Sequence, residues 1–182
     1  MNVIQTQLDG VIMIEPDVFG DSRGYFLETY QTEKYRVAGI TDTFVQDNHS
    51  FSRRGILRGL HAQYRRPQAK LVRALEGEVF DVVVAIRPDS PTLGHWFGTR
   101  LSGDNFRQLY IPPGYAHGFC VLSDTVHFEY KCSDLYDPDG QLTVQWNDPM
   151  IGIEWPIKQP TLSSHDQVGM SLTETLAFLD ND

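Results

Sequence analysis

The stretch Gly55-Ile56-Leu57-Arg58-Gly59-Leu60-His61-Ala62-Gln63, with Lys70 just beyond it, sets a histidine, an amide and cations inside what otherwise reads as buried β structure. Side chains alternate along a strand, so His61 and Gln63 share one face. Arg58 lies three positions before His61, which in a regular strand sends the two to opposite faces. Gly59 stands between them, and a glycine inside a strand often marks a bulge that re-aims a side chain. The spacing therefore predicts a bulge at Gly59 that brings Arg58 and His61 to one cavity. Taken alone, the stretch reads equally as an exposed basic edge strand with a solvated histidine.

The flanking sequence is dense in strand patterns. Residues 79–86 form a nearly continuous β-branched run, which suits a sheet covered on both sides or a sandwich core. Over 126–131 the residues alternate, with Val126, Phe128 and Tyr130 on one face and His127, Glu129 and Lys131 on the other. Further strands are expected at 11–14, 25–30, 43–50, 71–75, 108–111 and 119–122, and in pieces around 146–149 and 151–156. Turn chemistry separates them at 19–24, 65–67, 76–77, 87–94, 112–118 and 123–124. Helix is sparse: one turn or two capped by Thr32 and stopped by Gly39, and a short segment at 171–179. Many short strands with little helix predict an all-β sandwich or barrel.

The chain has 182 residues, 41% hydrophobic and 12% aromatic, enough for a single domain over 1–182 with a sizeable core. A net charge of -9 argues against a broad nucleic-acid surface. No apolar run approaches a membrane span, and the first residues lack the pattern of a signal peptide. Cys120 and Cys132 are then expected as reduced thiols in the cytoplasm.

Pro112-x-Gly114-x-x-His117 resembles the second signature of the cupin jelly rolls, and His61 falls where their first signature supplies metal ligands. Metal-binding cupins usually carry a second histidine two residues on and then a carboxylate. Gln63 and, near the carboxylate position, Gln68 or Lys70 occupy those places. An amide is a poor transition-metal ligand and an ammonium is none, so no metal is expected. Within the cupins, the chain is similar from about 18 to 166 to the dTDP-4-dehydrorhamnose 3,5-epimerase family. Phe19-Gly20-Asp21-x-Arg23-Gly24, Gln46-Asp47-Asn48-His49-Ser50 and Leu57-Arg58-Gly59-Leu60-His61 carry the resemblance, in that order. Lys70-Leu71-Val72, Ser90-Pro91-Thr92-x-Gly94, Ala116-His117-Gly118-Phe119, Tyr130-Lys131, Trp146-Asn147-Asp148-Pro149 and Trp155-Pro156 continue it.

The resemblance implies a cupin-type β jelly roll of two antiparallel sheets with short peripheral helices. It implies an isomerase that needs no cofactor and converts dTDP-4-dehydro-6-deoxy-glucose to dTDP-4-dehydro-rhamnose, for dTDP-L-rhamnose and polysaccharide biosynthesis. Both hydrogens concerned, at C3 and C5, are alpha to the C4 carbonyl, and imidazole is a suitable base near neutrality. His61 matches the family's base, Asp166 the carboxylate that holds it, Lys70 the cation for the enolate oxygen and Tyr130 the acid. Arg23, Arg58 and His117 match contacts to pyrophosphate or sugar, Glu28, Gln46 and Asn48 contacts to the nucleotide, and Tyr136 a ring stacked on thymine. A homodimer is implied, its N-terminal strands pairing with the partner and lending Arg23 and Glu28 to that site.

The chain departs from the family pattern at Ala85 (commonly aspartate), His165 (lysine), Gln141 (glutamate) and Ala62 (an aromatic). By parity Ala85 shares a face with Asp81 and Val83, so a lost carboxylate there is expected to alter the cavity. These departures leave open an epimerase acting at C3 or C5 alone. A metal-dependent cupin oxygenase and a non-catalytic nucleotide-sugar-binding cupin are the readings from other classes. Arg65 and Arg66 read as solvated loop cations, and His49, His95, His127 and His165 receive no catalytic role.

Overall fold

Strands rich in Val, Ile and Phe need cover on both faces, and two stacked antiparallel sheets provide it. The computed structural model describes residues 1–180. One sheet has six strands in the order β1 (Asn2–Gln5), β2 (Ile12–Glu15), β10 (Gln108–Ile111), β7 (Lys70–Glu76), β12 (Thr125–Cys132) and β5 (Gln46–Arg53). The second has five, in the order β13 (Gln141–Thr143), β6 (Leu57–Gln63), β11 (Tyr115–Val121), β8 (Glu78–Ala85) and β9 (Trp96–Ser102). A separate hairpin pairs β3 (Val18–Asp21) with β4 (Gly24–Leu27). With the short helices α1 (Thr32–Val37) and α2 (Leu172–Leu179) at the periphery, this is the expected cupin-type jelly roll.

Val72, Val83, Phe119, Val126 and Phe128 fill the space between the sheets. Burying a side chain the size of Phe128 is worth roughly 1.5–3 kcal/mol. The other face of β8, through Val82 and Val84, packs with Leu142 and with Leu172 of α2. That double cover is why 79–86 has no polar alternation. On the outer face of the six-stranded sheet, Tyr35 of α1 seals Ile12, Ile14, Leu71 and Tyr110. Helix α2 starts at a capping box in which Ser171 Oγ accepts from Glu174 N at 3.2 Å and Glu174 Oε2 accepts from Ser171 N at 2.8 Å.

Several local expectations are corrected. Gln31, not Thr32, caps α1, its Oε1 accepting from Lys34 N at 2.6 Å. The turn expected over 19–24 is only Ser22-Arg23, because β3 runs to Asp21 and β4 begins at Gly24. The turn expected over 112–118 closes at Gly114, so His117 stands within β11. Strands β1, β9 and β13 were not expected, and the apolar residues of 146–156 lie in turns instead. There Trp155 Nε1 donates to Trp146 O at 2.8 Å.

The bulge at Gly59 is present. Along β6 and β11, His61 pairs with His117 and Arg58 with Phe119, so Gly59 and Leu60 oppose the single residue Gly118. Gly59 takes φ 122°, and a Cβ there would meet Gly118 Cα at 2.6 Å and His117 O at 2.8 Å. Both obstacles are backbone, so only glycine fits. Leu60 turns its main chain away to Val144, donating to Val144 O at 3.3 Å and accepting from Val144 N at 2.8 Å.

Candidate active site

A cavity of about 430 Å³ opens between the two sheets, and the displaced register of β6 places both Arg58 and His61 on its wall. His117 lines it from β11, Lys70 from β7, Tyr130 from β12, and Gln46 and Asn48 from β5. Tyr136, half exposed, stands at its rim, and Asp166 closes it from a 3₁₀ turn at Asp166–Val168. Nine of the eleven residues marked from the sequence thus meet in one place. Arg23 and Glu28 do not. Arg23 sits on the β3–β4 turn, 88% exposed and paired with Asp21, while Glu28 pairs with Lys34 at 2.7 Å.

His61 Nε2 lies 2.6 Å from Asp166 Oδ1. Burial alone pushes the Asp166 carboxyl up, but hydrogen bonds from His61 and from Ser163 Oγ (2.7 Å to Oδ2) outweigh it and hold the group below the usual range. Gly59 N adds a longer contact to Oδ1 at 3.4 Å. With Nε2 committed to Asp166, Nδ1 is the nitrogen left for a ligand. Across the register, His117 Nε2 lies 2.8 Å from Asp81 Oδ2. Asp81 is fully buried, and burial pushes its carboxyl up against the lowering effects of His117 and Lys70.

From the facing sheet, Lys70 enters the cavity with only a long contact from Nζ to His61 O at 3.5 Å. Desolvation pushes its amine down. Burial likewise pushes the Tyr130 phenol up, which keeps it protonated at neutral pH. Arg58 is fixed by donation from Nε to Ser52 Oγ at 2.9 Å.

Four contributors received no site role from the sequence. Asp81 and Ser163 orient histidine and carboxylate, as described. Gln63 grips the main chain of Asp137 at both ends, donating to its O at 2.8 Å and accepting from its N at 2.7 Å. Gln141 Oε1 accepts from Tyr136 Oη at 2.9 Å, so ring and amide are fixed together. The parity of 81, 83 and 85 points Asp81 inward, but its partner depends on the β8–β11 register, in which Phe119 pairs with Asp81 and His117 with Val83. Ala85 corrects another expectation: its side chain packs with Val83 in the core between the sheets, so a carboxylate missing there does not border the cavity. Ala62, Gln141 and His165 do border it.

The two histidines could be taken for the start of a metal site. Each instead engages a carboxylate through Nε2, Gln63 is committed to Asp137, and Lys70 offers no lone pair while charged. Among the described residues no group of three His, Cys, Asp or Glu side chains converges as metal ligands do.

Comparison with known proteins gives a consistent result. A family model described as dTDP-4-dehydrorhamnose 3,5-epimerase matches residues 5–174. The chain is 52% identical over 179 residues to a dTDP-4-dehydrorhamnose 3,5-epimerase of Methanothermobacter thermautotrophicus, covering 97% of each chain. It is similar to the crystal structure of a dTDP-6-deoxy-D-glucose-3,5-epimerase from Legionella pneumophila in complex with dTDP-4-keto-L-rhamnose. That match has TM-score 0.95 and 49% identity, over 98% of this chain and 96% of the other. A 3'-monoepimerase from Streptomyces bikiniensis, in complex with dTDP-quinovose, matches with TM-score 0.89 and 31% identity, over 96% of this chain and 89% of the other.

Proposed function

Because the chain belongs to the dTDP-4-dehydrorhamnose 3,5-epimerase family, we propose a mechanism in which its two sheets hand a proton across a sugar ring. The chain is an isomerase. It epimerises dTDP-4-dehydro-6-deoxy-glucose at C3 and C5 to dTDP-4-dehydro-rhamnose, a step of dTDP-L-rhamnose biosynthesis. The observation that carries the mechanism is the placement of His61 on β6 and Tyr130 on β12, in opposite sheets with the cavity between them. Inversion needs removal of a proton from one face of the ring and return of a proton to the other.

His61 takes the proton from C3 or C5 through Nδ1, and Asp166 stabilises the imidazolium that forms. The electrons of the broken C–H bond move into the C–C bond and onto the C4 oxygen, where Lys70 offers positive charge. Tyr130, kept neutral by burial, gives its phenolic proton to the opposite face of the same carbon. His61 then gives its proton to solvent and Tyr130 regains one from it, which resets both groups without a redox partner. Arg58 and His117 are suited to the pyrophosphate or sugar, Gln46 and Asn48 to the nucleotide, and Tyr136 to stacking on thymine.

Arg23 and Glu28 belong to the proposal in a different way. The β3–β4 hairpin carries Phe19 and Phe26 at 64% and 69% exposure, and both charged residues lie away from their own cavity. A homodimer in which the N-terminal strands cover the partner and lend it Arg23 and Glu28 accounts for both facts. The chain then works as one jelly-roll unit over 1–182. Two free, buried cysteines suit the cytoplasm, and none of the described helices is long and apolar enough to cross a membrane.

Proton NMR of the 4-keto sugar nucleotide in deuterated water tests this reading. Wild type should exchange and invert both C3 and C5. Tyr130→Phe keeps the ring, so His61 should still exchange a proton on its own face while inversion is strongly reduced. Inversion at the normal rate in that variant excludes Tyr130 as the acid. Exchange at one carbon only favours the second reading, an epimerase of a single centre. The match to a 3'-monoepimerase and the departures at Gln141 and His165 support that alternative.

A further inference from the structure

The chain between β12 and β13 crosses from the six-stranded sheet to the five-stranded one and carries Tyr136 at the mouth of the cavity. It is tied down at both ends. Ser133 N donates to Ala69 O at 3.0 Å and Gln68 Nε2 to Asp134 O at 2.7 Å, while Tyr64 N donates to Gly140 O at 2.9 Å. In the middle, two successive residues are held by glutamines from opposite sheets. Gln46 of β5 accepts from Tyr136 N through Oε1 at 3.0 Å. Gln63 of β6 accepts from Asp137 N at 2.7 Å and donates to Asp137 O at 2.8 Å. Engaging both backbone groups of one residue is what a neighbouring strand does, and an amide can do it because it carries donor and acceptor together. An ionised carboxylate would only accept, and an ammonium only donate.

Gln63 lines the cavity beside His61, two positions along the same strand, yet its oxygen and one N–H are committed to the loop rather than aimed at a ligand. Fixing Asp137 fixes the peptide next to Tyr136, from whose Cα the ring projects. The ring's own bond, from Oη to Gln141 Oε1 at 2.9 Å, is exposed to solvent, so the main chain sets most of the ring's place. We infer that Gln63 is a positioning residue for the nucleotide: from the strand that bears His61, it holds the loop so that the Tyr136 ring stands ready to stack on thymine. The inference deepens the proposed function and rests on its assignment of Tyr136. Gln63 acts through the loop and is required neither against the thymine nor against the reacting carbons. A loop that is already ordered gives up less freedom on binding, so loss of the clamp should weaken dTDP and leave the pyrophosphate contacts alone.

Calorimetric titration of the full chain with dTDP and with inorganic pyrophosphate tests this. Gln63→Ala should raise the Kd for dTDP about tenfold and that for pyrophosphate less than about twofold. Tyr136→Leu should also weaken dTDP about tenfold, as loss of a stacked base typically does. Placed on Tyr136→Leu, Gln63→Ala should add less than about a further twofold, because the clamp acts only through the ring. An unmoved Kd for dTDP, effects that multiply in the double variant, or an equal loss of pyrophosphate overturns the inference. With the keto-sugar, the rise in KM should exceed the fall in kcat, and the reverse overturns it. Should Gln63→Ala not fold, Gln63→Met keeps the length without the amide. Hydrogen exchange needs no variant: dTDP, unlike pyrophosphate, should slow exchange of the Asp137 amide, and equal rates overturn the proposal. A Tyr136→Leu variant that binds dTDP as wild type does overturns the stacking role on which the inference rests. The expected dTDP results with no conversion of the keto-sugar overturn the assigned reaction, not the clamp.

Discussion

His61 and His117 face each other on neighbouring strands, and each turns Nε2 to an aspartate, yet the two pairs are built differently. Asp166 arrives from a turn outside the sheets, accepts from His61 and Ser163, and is held below its ordinary range. Its histidine is 32% exposed to the cavity. Asp81 belongs to the central strand β8, is closed off from solvent and is pushed up by burial, and its histidine is 8% exposed. An accessible ring on a well-hydrogen-bonded carboxylate can take and release a proton repeatedly. A ring locked on a desolvated carboxylate is better suited to keep a fixed polarity. Among the described residues the two pairs thus differ in what their carboxylates receive, from His61, Ser163 and Gly59 at Asp166 but from His117 alone at Asp81.

The largest expected difference comes from removing each ring. His61→Ala leaves no base, so exchange and epimerisation should both fall by ~10²–10⁴-fold, as general acid–base help is typically worth. His117→Asn should mainly raise KM and leave deuterium exchange detectable. Equal loss of exchange in the two variants, by the same NMR measurement, removes the distinction drawn here.

A smaller effect concerns stability against pH, where the two carboxylates act with opposite sign. An aspartate titrates at about 3.9 in an unfolded chain. Asp166, depressed in the fold, contributes stability that is present above that value and lost as pH falls through its folded pKa. Asp81, raised in the fold, favours the folded state most below that value and loses the contribution as pH rises through its folded pKa. Denaturant melts between pH 3 and 7 should thus show a shallower acid-side loss for Asp166→Asn than for wild type, and a steeper one for Asp81→Asn. Parallel curves for the two variants contradict the assignment.

The smallest expected effect is none. Because both rings engage carboxylates and Gln63 is tied to Asp137, exhaustive chelation should leave turnover unchanged. Loss that zinc, manganese or iron restores, followed by elemental analysis, overturns the assignment.

Most strands were readable from sequence, clearest in the β-branched run of β8, the alternation of β12 and the glycine-broken motif of β6. Strand β9 gave no such pattern, since Gly98 and Arg100 interrupt it and its first residues are only half buried at a sheet edge. β13 is three residues long, too short for any period. Residues 146–156 misled in the other direction, because their apolar side chains pack from turns, as Ile151 does at 6% exposure. At the site, the cavity residues were found through their motifs. The partners of Asp81 and Gln63 were not, because a pairing partner is fixed by strand register and loop path, neither of which a local pattern carries.

The extra residue in β6 has a consequence for anyone who would improve this protein. An engineer smoothing the sheet would delete Gly59 or Leu60, recover unbroken pairing with β11, and obtain a more regular strand. The same edit would leave Arg58 and His61 two positions apart and still on one face, but it would withdraw the Gly59 amide from Asp166 or the Leu60 main chain from Val144. The flaw in the ladder is the device that frees main chain in mid-strand to hold a carboxylate and a neighbouring segment while the side chains still face the chamber.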